Sequence, residues 1–369
     1  MKKVGIFGGS FNPVHVEHIN MVKAFISELN LDEMIIVPAN IPPHKKGEEI
    51  IPSQDRIDML KLAFEHIPNV KISTFEVDNK EVSYTYKTLE HFKGLYQDSQ
   101  LYFMVGTDML ADFPTWKNPN RILELATLVL VRRTGDNEEM ANKLYYSHFS
   151  KEYIKLNYVG ENVSSTAIRA AVALELPVKG LTKEVLNYIL DKGYYKTDVS
   201  SYVVKNLPIK RLTHTFGVIK LAVKYAKTLK ENATDAYYAA MLHDVAKYLN
   251  YKDFGLQMQE GVPKPCEHQF LGAYIAENVL NIKNTGILNA IKYHTTGRAN
   301  MSRLEQIVFL ADLLEEGRTF DGVERLRKLV EKDFDLGFKV AINELYAHLS
   351  KSGESVYYLT KECKDYYNS

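Results

Sequence analysis

Val4-Gly5-Ile6-Phe7-Gly8-Gly9-Ser10-Phe11-Asn12-Pro13-Val14-His15-Val16-Glu17-His18 is the stretch that decides the reading of the N-terminal half. A short apolar run leads into two glycines, a Ser-Phe-Asn-Pro segment and the start of an amphipathic stretch carrying two histidines. That order predicts a strand, a glycine turn and a helix start. Such a junction suits an anion, because glycine lets backbone approach a ligand and a helix N-terminus offers unpaired N–H groups and a positive dipole end. His15 and His18, three residues apart, would lie on one helix face and reach the same phosphate. The junction therefore predicts nucleotide chemistry, with Gly8, Gly9, Ser10 and Phe11 as the turn that meets the substrate.

Working outward, apolar runs at 4–7, 34–37, 70–75, 101–105 and 127–131 alternate with amphipathic segments at 15–29, 53–66 and 86–96. Short strands alternating with helices predict a parallel sheet covered on both faces, with ligands at the carboxyl ends of its strands. Beyond residue 207 no strand signal stands out. Helical periodicity instead marks 213–230, 234–249, 267–279, 285–294, 303–316 and 334–349. We expect two domains: a Rossmann-like α/β domain over 1–197 and an all-α domain over 198–369.

The chain has 369 residues, zero formal net charge, 46% hydrophobic residues and two cysteines. Two domains of this size can each bury a core. Neutral charge argues against a dedicated nucleic-acid or anionic-membrane binder. Two isolated cysteines, Cys266 and Cys363, make neither a disulfide framework nor a thiolate metal site. With no signal peptide and no long apolar span, a soluble cytoplasmic protein is expected.

Companion segments bear on the first site. Val163-Ser164-Ser165-Thr166-Ala167-Ile168-Arg169 places hydroxyls at a helix start and a guanidinium one turn in. It reads either as an ordinary N-cap or as a grip on a polyphosphate. Gly106-Thr107-Asp108 ends a strand, and Trp116 is the single tryptophan. A lone tryptophan is more often a core or lid residue than a stacking platform. Together with Ile41-Pro42-Pro43-His44-Lys45 and Ser83-Tyr84-Thr85, these segments resemble the bacterial nicotinate mononucleotide adenylyltransferases of the nucleotidyltransferase superfamily, from Lys3 to about Tyr195. The resemblance implies that nicotinate mononucleotide attacks the α-phosphorus of ATP, releasing pyrophosphate, with Mg²⁺ arriving on ATP. It implies that His15 and His18 contact the ATP phosphates, and that Ser164, Ser165, Thr166 and Arg169 hold the pyrophosphate end. Lys45 would be a further cation, Asp108 beside Gly106 would bind ribose, Trp116 would stack on the pyridine ring, and backbone near Thr85 would meet its carboxylate. One departure stands out: the family pattern His-x-Gly-His has Glu17 in place of glycine, where a carboxylate would repel the ligand unless it turns away.

In the second half, His214, His243-Asp244, His268, His294 and Asp312 recur within apolar helical segments. Carboxylates in such helices are costly to bury unless paired or metal-bound. Any one of these residues could be a hydrogen-bonded core group; the set points to a metal centre. The segments Leu212-Thr213-His214, Leu242-His243-Asp244, His268-Gln269-Phe270, Tyr293-His294-Thr295 and Ala311-Asp312 resemble the HD phosphohydrolase superfamily, and within it the YqeK-type symmetrical diadenosine tetraphosphate hydrolases. That resemblance implies a metal held by His214, His243, Asp244 and Asp312, with Asp244 bridging to a second metal completed by His268 and His294. Iron is the first expectation, with manganese or zinc as alternatives, and such metals supply an activated water near neutral pH. Lys247, one helical turn after His243, and Arg298 would grip substrate phosphate, Lys247 among the catalytic groups. Both also read as solvated surface charges. The expectation is a bifunctional enzyme that makes deamido-NAD and splits diadenosine tetraphosphate into two ADP. The alternatives keep the first activity and give the helical domain another nucleotide phosphate ester or a silent sensing role.

Overall fold

The computed structural model describes residues 1–40, 50–79, 82–258, 260–351 and 356–369. It divides into two compact units, 1–169 with 178–194, and 170–177 with 195–369. The division passes through the helix Ser165–Ala173.

The first unit is built on a six-stranded sheet of β1 (Lys2–Gly9), β2 (Glu33–Pro38), β3 (Val70–Ile72), β4 (Ser99–Gly106), β5 (Thr127–Arg133) and β6 (Ile154–Gly160). The strand order is β3-β2-β1-β4-β5-β6 and every pairing is parallel. Each residue of β2 is buried, as expected for a strand covered on both faces. Successive strands are laid down outward from β1 first on one side, as β2 and β3, and then on the other, as β4, β5 and β6. A crevice at the carboxyl ends of these strands is the ligand position of such sheets. Gly9 pairs with Pro38 at that edge, and Gly106 pairs with Val131.

Three sequence expectations change here. The two glycines finish β1 rather than forming the turn, which lies beyond them at 10–15. The strand expected over 70–75 stops at Ile72, and Phe75–Asp78 is helical. β6 was not anticipated: it is the edge strand, so only alternate residues such as Leu156 and Gly160 are buried and no apolar run announces it.

One fully buried cation ties the crevice together. Arg56, from the helix Ser53–Phe64, donates to Ser10 O at 2.8 Å, Ala39 O at 2.7 Å and Ile51 O at 3.3 Å. It thereby fixes the exits of β1 and β2 against each other.

The second unit is helical throughout its described residues. Ile209–Thr228 packs against Ala233–Leu242 and Arg303–Leu314, while Glu267–Asn278 and Thr285–Tyr293 pair with each other. Its core includes Val218, Ala222, Ala239, Leu242, Ile275, Ile291, Val308 and Leu310. The helices Val323–Lys332 and Tyr358–Asn368 were not expected from periodicity. Among the described residues, no helix is long and apolar enough to cross a membrane.

Replacing Arg56 with Met should destabilise the first unit by about 3 kcal/mol, because it strands buried carbonyls that lose a charged donor. Urea unfolding followed at Trp116, which lies in this unit, measures it. A change near zero would contradict the bracing role.

Candidate functional site

The exit of β1 carries the first site. His15 is the N-cap of the helix Val16–Leu29 rather than a residue within it, and His18 is its third residue. The two rings stack with centroids 3.6 Å apart, and His18 Nδ1 accepts the His15 N–H at 3.1 Å. His15 is buried; burial, and then the Arg133 charge, lower its pKa to about 3. It is therefore a neutral imidazole at neutral pH, able to donate through one ring nitrogen, and an anion bound beside it would draw its pKa upward. Arg133, at the end of β5, is a cation that no sequence motif marked.

Phe11 occupies the left-handed region with φ 46° and is buried. Its ring packs on Phe7 and His18, with centroids 5.3 and 5.1 Å away. A Cβ on Gly9 would meet that ring at 3.1 Å. The side chain of Phe11 thus supports the turn from beneath, while Gly8, Gly9 and Ser10 line the crevice. The helix Ser165–Ala173 reaches the same turn: Ser165 Oγ donates to Pro13 O at 2.9 Å, and Arg169 donates to Asn12 O at 2.7 Å. Ser164 caps this helix by accepting the Ala167 N–H at 3.1 Å, and Thr166 Oγ1 accepts from Arg169 at 3.4 Å.

Glu17 turns away from this turn. It is buried, with one oxygen accepting Asn20 Nδ2 at 3.0 Å and the other accepting Tyr158 Oη at 2.8 Å and the Glu161 N–H at 3.0 Å. Gly160 makes room for it, since a Cβ there would lie 2.7 Å from Glu17 Oε2.

A cavity of about 380 Å³ opens beside the turn, lined by Gly8, Gly9, Ser10, Ser83, Thr85, Phe103 and Trp116 among others. Trp116 is half-buried and packs on Phe113 at 5.3 Å, so it is both a cavity wall and part of the core edge. Thr85 begins the helix Thr85–Leu95, placing its N–H in the turn that lacks intrahelical acceptors. Asp108 is exposed at the start of the helix Thr107–Asp112, and its Oδ1 lies close over Gly106, 2.8 Å from where a Cβ would stand. Lys45 lies outside the described residues.

The second unit brings its six predicted ligands together. His214, His243 and Asp312 form one trio and Asp244, His268 and His294 another, each with donor atoms within 4.8 Å of one another. Asp244 faces both: Oδ2 lies 3.4 Å from His243 Nε2 and 3.9 Å from His214 Nε2, whereas Oδ1 lies 3.0 Å from His268 Nε2 and 3.7 Å from His294 Nε2. His214 Nε2 lies 3.0 Å from Asp312 Oδ1. Burial pushes the Asp244 carboxyl up, yet His243, His268 and His294 hold it well below the usual carboxylate range. Burial lowers His243, and lowers His268 to about 4, so both are neutral imidazoles suited to a metal. The donor set of imidazole nitrogens and carboxylate oxygens fits a first-row transition metal pair.

The helix expected over 234–249 ends at Leu242, and 243–248 form tight turns closed by Val245 N–H to Leu242 O and Lys247 N–H to Asp244 O. On a continuing α-helix two adjacent side chains diverge; the tighter winding lets His243 and Asp244 face one centre. Lys247 follows this turn, with Nζ 3.2 Å from His268 Nε2 and 3.6 Å from Asp244 Oδ1. Arg298 is placed differently from the sequence reading. Its guanidinium holds the buried Glu305 through two bonds, at 2.7 and 2.8 Å, and lies over the Tyr293 ring. The guanidiniums that do reach the centre are Arg211, 2.7 Å from Asp244 Oδ2, and Arg318, 2.5 Å from Asp312 Oδ1.

The two units thus pair a nucleotidyltransferase-type parallel sheet with an HD-type helical metal centre. A cytidylyltransferase-like family model matches residues 6–171, and an HD domain model matches residues 211–317. A Mycoplasma genitalium protein named "Probable nicotinate-nucleotide adenylyltransferase/Ap4A hydrolase" is 31% identical over 326 residues, covering 86% of this chain and 88% of its own length. A Clostridium acetobutylicum protein named "Probable nicotinate-nucleotide adenylyltransferase" is 35% identical over 202 residues, covering 52% of this chain and 98% of its own. A solved structure from the same organism, described as a "predicted HD superfamily hydrolase involved in NAD metabolism", is 31% identical with a TM-score of 0.42, covering 46% of this chain and 95% of that one. The chain belongs to the nicotinate-nucleotide adenylyltransferase/Ap4A hydrolase family.

Glu17→Gly removes the acceptor of the Tyr158 hydroxyl and the Glu161 N–H, so it should cost about 1–3 kcal/mol of stability and leave ATP binding unchanged. Thermal unfolding with an ATP titration checks both; a gain in ATP affinity that is largest at low salt would contradict the outward orientation. His15 carries a pH signature. Its pKa in the folded chain, about 3, lies below the ordinary 6.5, so the stability it confers is full above the higher value and falls as pH drops towards the lower. His15→Gln should flatten that acid slope in urea unfolding; an unchanged slope would contradict a neutral buried imidazole.

Proposed function

We propose that the chain is a bifunctional enzyme: its first unit transfers the adenylyl group of ATP to nicotinate mononucleotide, and its second hydrolyses diadenosine tetraphosphate to two ADP. In the first reaction a phosphate oxygen of the mononucleotide bonds to the α-phosphorus of ATP as the bond to the pyrophosphate oxygen breaks. No enzyme nucleophile is required, so the protein's task is alignment and charge compensation. His15 and His18 meet the ATP phosphates, with Mg²⁺ arriving on the nucleotide. The Ser164, Ser165, Thr166 and Arg169 segment, braced on the Asn12-Pro13 turn, closes the pyrophosphate end. Asp108 takes ribose hydroxyls. The pyridine ring lies in the cavity against Trp116, with its carboxylate at the Thr85 helix start, where an N–H gains a charge-assisted bond that a neutral amide does not give. The proximity of this apolar cavity to the stacked histidine pair supports the reading.

For the second reaction, the two-faced carboxylate of Asp244 is the observation that carries it. His214, His243, Asp244 and Asp312 would hold one metal, and Asp244, His268 and His294 the other, with iron ahead of manganese or zinc. Such a pair supplies a water acidic enough to act as a nucleophile near neutral pH. Lys247, Arg211 and Arg318 surround the centre with positive charge that suits a phosphate chain. Each unit carries one activity, and the setting proposed for both is the cytoplasm.

Trp116→Ala should raise KM for nicotinate mononucleotide far more than KM for ATP. Equal turnover of nicotinate and nicotinamide mononucleotides by the wild type would contradict the carboxylate assignment. Asp244→Ala in the full chain should abolish hydrolysis and leave adenylyl transfer intact. Chromatography of the nucleotide products decides the cleavage position: ADP alone agrees with a symmetric cut, whereas ATP with AMP contradicts it.

A further inference from the structure

Each imidazole of the centre has a second nitrogen to satisfy, and what meets it differs between the trios. His243 Nδ1 faces Ala240 O at 2.7 Å and His294 Nδ1 faces Ile291 O at 2.8 Å, both neutral carbonyls. His268 Nδ1 has Lys247 Nζ 3.4 Å away. His214 alone of the four faces a carboxylate: its Nδ1 lies 3.1 Å from Glu315 Oε1. Glu315 is 5% exposed, and its other oxygen accepts the Gly317 N–H at 2.6 Å. The chain makes room for it. Gly217, three residues beyond His214, would place a Cβ 2.5 Å from Glu315 Oε2.

The surrounding charge differs in the same direction. Apart from the shared Asp244, the His214–His243 side has two carboxylates, Asp312 and Glu315, set against two guanidiniums, Arg211 and Arg318. The His268–His294 side has no further carboxylate among these contacts, and it has the Lys247 ammonium. A carboxylate on the remote nitrogen of a ligating histidine fixes the ring and raises its basicity, and loss of such a partner typically costs 10–100-fold in metal affinity. A cation beside a ligand set does the opposite.

We infer that the two metal positions are unequal. The His214–His243–Asp312 position binds tightly with Glu315 as its positioning residue, and the His268–His294 position is the labile one, weakened by Lys247. This inference rests on the two-metal reading of the second unit. The metal pair therefore assembles in order, and the second position empties first when metal is scarce, which would make hydrolysis respond to metal supply while adenylyl transfer does not.

Calorimetric titration of the chelator-stripped full chain with Mn²⁺ tests it. The wild type should bind two ions in two resolved steps. Glu315→Gln should weaken the tight step by about 10–100-fold and leave the weak step nearly unchanged. Lys247→Met, which keeps the aliphatic stem, should tighten the weak step, and His294→Gln should abolish that step alone. Circular dichroism of each stripped variant establishes that the helices are intact, and Lys247→Met carries the test if Glu315→Gln unfolds. Two equal steps in the wild type, a Glu315→Gln isotherm like that of the wild type, or loss of the tight step in His294→Gln would overturn the inference while leaving two metals in place. No Mn²⁺ uptake at all would overturn the two-metal reading together with it.

Discussion

Asp244 is a carboxylate taken out of water, and the second unit is organised around that cost. An unpaired charge in such a position would be neutralised or would destabilise the fold. Here four imidazoles from separate helices and turns converge on its two oxygens. The convergence explains several local features that otherwise look unrelated. The helix carrying His243 has to stop at Leu242 so that two adjacent side chains can face inward. Gly217 has to lack a side chain so that Glu315 can stand behind His214. The same requirement that makes Asp244 tolerable, several nitrogen and oxygen donors within a few ångströms, is what a pair of divalent cations needs.

The first unit meets the same problem with the sign reversed in place rather than in kind. There the anion is the ligand, and the fold must hold donors ready for it at the strand exits. Parallel strand order puts the exits of β1 and β4 on either side of one crevice. Arg56 spends its guanidinium on the carbonyls of the loops that frame that crevice, and Arg169 does so on the turn carbonyl of Asn12. Glu17, two residues after His15, is withdrawn into its own set of donors, the Asn20 amide, the Tyr158 hydroxyl and the Glu161 N–H. A carboxylate at that place is compatible with an anion site because its charge is already answered elsewhere.

Much of this was legible in the sequence where burial is complete and local. β1, β2, β4 and β5 read directly as apolar runs, and the histidines and aspartates of the second unit stood out because they interrupt apolar helices. The edge strand β6 did not read, since half of its side chains face water. Boundaries failed where winding changed, as at Leu242, because helical periodicity continues through residues that are no longer α-helical. The supporting charges were the least legible. Glu315 meets a histidine 101 residues away, and Arg56 meets a carbonyl 46 residues away, with no spacing to flag either pair. Arg298 shows the converse, a cation whose place beside a ligand motif suggested substrate but whose partner is the buried Glu305.

Asp244 is proposed to be shared by two metals, each completed by a different set of histidines. Anomalous diffraction from crystals of the full chain grown with Mn²⁺, collected at the manganese edge, tests it most directly. Two peaks should flank Asp244, one bounded by His214, His243 and Asp312 and the other by His268 and His294. A single peak, or metal density away from Asp244, would contradict it.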